Sequence, residues 1–91
     1  MWTSLTSTFD LETMQYLETK PAAELLPMML GSDPLVALRC LAELMLNGAY
    51  PKLRQLMANT QLREHCALFE QNPSTDARDR QHATLLMQRL V

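Results

Sequence analysis

Between Leu35 and Leu46 the chain carries only two polar side chains, Arg39 and Glu43. The run has strong punctuation at both ends. Ser32-Asp33-Pro34 offers a capping side chain followed by proline at the first helical position, and Asn47-Gly48 offers a stop. Arg39 and Glu43 sit four apart, so on a helix they share one narrow solvent stripe. A surface helix normally has a wider polar face. The pattern predicts a helix over 34–46 that needs cover on two sides, from its own chain and from a partner. In a chain of 91 residues that demand is severe, because a small domain hides a modest fraction of its surface.

The neighbouring segments also read as short helices. Ser7 or Thr8 caps a first helix over 8–19, with Asp10 in its first turn and Phe9, Met14 and Leu17 near one face. Lys20-Pro21 breaks it. A second helix over 21–30 places Ala22, Leu25, Leu26, Met29 and Leu30 inward, with Pro27 expected to kink or split it and Gly31 to end it. A fourth helix, 50–58, carries Leu53, Leu56 and Met57 on one face. The fifth, 61–71, turns Leu62, Cys66, Leu68 and Phe69 inward. After Asn72-Pro73-Ser74-Thr75 a sixth runs over 75–90, packing through Ala77, Thr84, Leu85, Met87 and Leu90, with its polar first half, Asp76 to His82, in solvent. Loops of a few residues make neighbouring helices antiparallel. The expected fold is all-α: one domain over 1–91, a stack of five to six helices in antiparallel hairpins, with the Thr/Ser-rich residues 1–7 flexible.

Composition narrows the function. Hydrophobic residues make up 47% of the chain, enough to fold. Aromatics at 5% and two glycines argue against a β-sandwich or barrel. A net charge of −2 argues against nucleic-acid binding. Residues 1–50 hold six acids against two bases, and residues 51–91 four acids against six bases, so the halves attract weakly. The N-terminus has neither the basic nor the apolar region of a signal peptide, and no run is long enough to span a membrane. The chain is expected in the cytoplasm, with Cys40 and Cys66 as buried free thiols.

The parts of an active site are missing. His65 and His82 lie seventeen apart, and neither pairs with Cys40 or Cys66 at a zinc-ligand spacing. His65 and Cys66 are adjacent on a helix, so they point about 100° apart, unlike a nucleophile and its base. Gly31 and Gly48 are too few for a phosphate loop. The reading is a non-enzyme with no cofactor and no metal. Six of the seven methionines are internal, which suits an adaptable core or a partner groove.

The turn after the apolar helix carries a repeat signature. In Leu44-Met45-Leu46-Asn47-Gly48-Ala49-Tyr50-Pro51-Lys52-Leu53, the residues Gly48, Tyr50 and Leu53 resemble the turn between helices A and B of a tetratricopeptide repeat. Met57 and Thr60 follow at the usual aromatic and small positions of helix B. Leu41 and Ala37 depart from that pattern, taking positions usually small and usually large respectively. In such a hairpin, Ala37, Cys40, Leu41 and Leu44 form the stripe packed on helix B. Leu35, Leu38, Ala42 and Met45 line a concave groove suited to an amphipathic helix.

Size and motif together resemble the small TPR-like chaperones of bacterial type III secretion needle subunits, in particular the larger chaperone subunit. The resemblance runs over Leu41 to Tyr50, Cys66-Ala67-Leu68-Phe69-Glu70, and Asn72-Pro73 to Leu90. It implies a cytosolic chaperone that binds the C-terminal apolar helix of a needle-forming subunit and blocks its premature polymerisation. It also implies a second small helical co-chaperone as partner. The alternative is a helical adaptor or regulatory domain, such as a homodimer built on the third helix.

Overall fold

A computed structural model describes the backbone of residues 11–90 and the side chains of residues 12–88. Six helices follow one another: α1 (Leu11–Thr19), α2 (Ala22–Leu30), α3 (Pro34–Leu46), α4 (Tyr50–Met57), α5 (Thr60–Gln71) and α6 (Ala77–Leu90). No strand occurs among the described residues, and the chain is an all-α stack of helical hairpins. The expectations on residues 1–7, Thr8, Phe9 and Asp10, and on the side chain of Leu90, lie outside what is described.

The helix ends follow local chemistry. Asp33 caps α3 by accepting the Leu35 N–H at 2.9 Å, and Pro34 fills the first position. Asn59 caps α5 by accepting the N–H groups of Gln61 and Leu62. Asp76 accepts the Arg78 N–H at 2.9 Å at the start of α6. Gly48 has φ +75 and closes α3 with a paired turn. The Ala49 N–H reaches the Leu44 carbonyl at 2.9 Å and the Gly48 N–H reaches Met45 at 3.1 Å, which satisfies two of the carbonyls a helix end leaves open.

Pro27 neither splits nor ends α2, which runs through it to Leu30. Proline removes the N–H that would have met the Ala23 carbonyl. Both residues face solvent, where water can serve the orphan group.

The core gathers around α3. Ala37, Leu38, Cys40, Leu41, Ala42, Leu44 and Met45 are all buried, and each of the other five helices packs against α3. Leu17 of α1, Leu25 and Met29 of α2, Leu53, Leu56 and Met57 of α4, Leu62 and Cys66 of α5, and Ala83 and Leu86 of α6 complete it. The radius of gyration, 11.9 Å, is close to what a globular domain of about 100 residues has (~13 Å).

Three expected faces are corrected. On α6 the inward stripe is Asp79, Ala83 and Leu86, spaced four and three. Ala77 is exposed and Thr84 half-buried, while Leu85 and Met87, half-buried, pack against the core as expected. The first half of α6 is therefore not wholly solvated. Asp79 is drawn inward by Arg39, whose Nη2 lies 3.1 Å from Oδ2 and whose Nε donates to Oδ1 at 3.4 Å. On α5, Leu68 is 60% exposed and only its neighbour Phe69 turns toward the core. On α3, the expected solvent stripe is closed at Glu43, which is 3% exposed and accepts Asn47 Nδ2 at 3.3 Å, while Arg39 stays partly exposed with its guanidinium on Asp79 of α6.

Candidate functional site

The four side chains expected to line an open groove do not share one. Leu38 is 0% exposed, Ala42 and Met45 are each 5% exposed, and all three are walled in by the chain itself. Leu35 alone stays half-buried at a surface opening. The physical reason is the central place of α3. A helix touched by five others keeps little open surface, so Leu38, Leu41 and Leu44 are core, while Val36 and Leu46 stay exposed. The turn residues serve the fold in the same way. Gly48 supplies the left-handed turn, Tyr50 begins α4 with partial exposure, and Leu53 is fully buried.

Leu35 opens onto a cleft of about 240 Å³ between α3, the end of α5 and the start of α6. Arg39 and Phe69 form one wall; Asn72, Thr75 and Asp79 form another. The Thr75 hydroxyl is covered and has no hydrogen-bond partner. Ligand pockets run from roughly 300 to 1,000 Å³, and this cleft is smaller. It is too narrow for a helix.

The thiols offer no nucleophile. Cys40 and Cys66 are free and buried. Burial pushes both up to about 12, with the negative charge of Glu43 adding to the effect on Cys40 and that of Glu70 on Cys66. At neutral pH both are thiols, so the adjacent His65 has no thiolate to pair with. No group of three or more His, Cys, Asp or Glu converges on a metal-sized site among the described residues.

What remains is the flank of α3 covered by α1. α1 has nine residues, and of its described side chains only Leu17 is fully buried. Glu12, Gln15, Glu18 and Thr19 face solvent, and Tyr16 is 37% exposed. An isolated helix of this length is marginal in water, so α1 depends on its docking. Its far end is held by Lys52 of α4, whose ammonium donates to the carbonyls of Leu17 at 2.9 Å and Glu18 at 3.0 Å. Those carbonyls belong to the unfilled last turn of α1, and a cation there also meets the negative end of the helix dipole. α1 has no basic residue in its own last turn. Desolvation pulls the Lys52 ammonium below its ordinary value, against the raising effect of Glu18.

This seat was not legible in the sequence. Leu17 reads as one apolar residue among several, and Lys52 lies 35 residues from the carbonyl it serves. A missing basic residue at the end of the first helix was the one available signal. No protein-family model, no curated protein and no solved structure matches this chain.

Proposed function

We propose that this chain is a non-catalytic module that binds an amphipathic helix of another polypeptide on the flank of α3 now covered by α1. The observation that carries the reading is the seat itself. It accepts a short helix through one buried leucine and gives its open carbonyls a lysine partner. An incoming helix with a leucine and a free last turn at matching positions fills the same places. Entry requires α1 to leave; among the described side chains of α1, Leu17 is the one fully buried, and Lys52 adds two hydrogen bonds to its last turn.

The finer reading rests on the resemblance of Leu41 to Tyr50, of Cys66 to Glu70 and of Asn72 to Leu90 to the larger needle-subunit chaperones. On that reading the cargo is the C-terminal helix of a needle-forming type III secretion subunit. A second small co-chaperone completes the complex in the bacterial cytoplasm. No cofactor takes part.

The seat moves the test away from the buried residues. Leu38→Glu or Met45→Glu would place a charge in the core and unfold the chain, so loss of capture in either would say nothing about a groove. The informative experiment follows polymerisation of a purified needle subunit by light scattering with this chain at equal concentration. The expected result is suppressed polymerisation, stronger with Leu17→Ala, which loosens α1. Polymerisation at an unchanged rate with both proteins contradicts the chaperone reading.

A further inference from the structure

α1 hangs on a two-residue hinge. Lys20 and Pro21 are both exposed and lie between the end of α1 and the start of α2. Proline disfavours helical backbone in the residue before it, which pulls Lys20 toward an extended conformation. Pro21 is already extended, with φ −71 and ψ 163. Straightening the hinge breaks one backbone hydrogen bond, from the Lys20 N–H to the Tyr16 carbonyl at 3.0 Å, and swings α1 out as a unit.

The described contacts of α1 reach elements far along the chain. α1 packs on α3, Leu17 joins the common core, and Lys52 reaches across from α4. None of them needs α1 to be covalently joined to the α2 beside it. A second copy of the chain brings an α1 with the same leucine and the same open carbonyls, so it fits the seat as well as the chain's own helix does.

We propose that α1 exchanges between two copies of this chain, giving a two-fold symmetric dimer. In it, Leu17 of each copy enters the core of the other, and Lys52 of each copy caps the other's α1. The closed monomer and the exchanged dimer share all the contacts of the seat. The balance between them is set by the hinge and by concentration, the two levers that govern domain swapping. The second copy is the occupant of choice because the interface it forms is the one already seen within the chain. The inference needs no cargo and stands apart from the chaperone reading.

The test is the mass of the purified full chain by light scattering over about a hundredfold range of concentration. The expected result is a mass that rises from one copy to two, with helical content unchanged. Inserting about four Gly/Ser residues between Lys20 and Pro21 relaxes the hinge, lets α1 close on its own seat, and should weaken the dimer roughly tenfold. Leu17→Asp, which spoils the exchanged helix, should abolish the dimer. A one-copy mass at every concentration overturns the proposal, and so does a dimer that survives Leu17→Asp or that the insertion leaves undiminished.

Discussion

α3 and α1 are both short helices with leucines on them, and they are held in opposite ways. α3 has eight buried residues and lies against every other helix. α1 contributes Leu17 to the core and has its last turn tied down by a lysine from elsewhere. The contrast teaches that apolar density along a helix reports how central the helix is, not how open it is to a partner. The densest segment of this chain is covered by its own fold over most of its length, with Val36 and Leu46 left at the surface. The accessible flank is found where the covering element is weakest.

Charge placed on the two helices should separate them most sharply. Leu38→Glu on α3 should cost more than about 4 kcal/mol and leave no cooperative transition in urea. Leu17→Glu should instead detach α1 and leave a cooperative transition for the rest. Equal loss of structure in both variants would put α1 on the same footing as α3.

Alkaline pH should act next, through the two buried thiols of the core. Both thiols are raised from 9.0 to about 12 in the folded chain. The raised acids keep their protons in the folded state while the unfolded state releases them. Their stabilisation is therefore complete below pH 9 and is lost as pH climbs toward 12. Within that window each thiol contributes a slope of about 1.4 kcal/mol per pH unit. Thermal unfolding of wild type against Cys40→Ala should show a shallower alkaline fall in the variant; parallel curves would contradict the sealed environment of Cys40.

Arg39→Met should cost about 2 kcal/mol in urea unfolding, because it leaves the 6% exposed Asp79 without its cation. The full cost of a deeply buried pair is not expected, since the Arg39 side chain is 39% exposed and water screens it. The smallest effect belongs to the turn that closes α3. At Gly48 a Cβ would meet nothing within 4 Å, so Gly48→Ala pays only for the left-handed backbone, about 1 kcal/mol in thermal unfolding.

The helices themselves were plain in the residues, and the pairing of their faces was not. The bounds of α3 agree with 34–46 because Asp33-Pro34 and Asn47-Gly48 act locally, through a side-chain cap and a left-handed turn. The inward face of α6 was found only in part, through Leu85 and Met87, because Ala83, Thr84, Leu85, Leu86 and Met87 are consecutive and favour no single direction. The choice is made by Arg39 and Asp79, forty residues apart. The burial of the expected groove residues was hidden for a related reason: Leu38, Ala42 and Met45 carry the right spacing for a docking stripe, but the spacing does not say that other helices of the chain will cover them.

The contrast between the two helices is tested most directly by amide hydrogen exchange resolved along the chain, in wild type and in Lys52→Met. The account predicts that amides of α3 exchange only through global unfolding, that those of α1 exchange through a local opening of lower free energy, and that losing the Lys52 ammonium speeds α1 by about tenfold while α3 is unchanged. Equal protection of α1 and α3 in both proteins would contradict it.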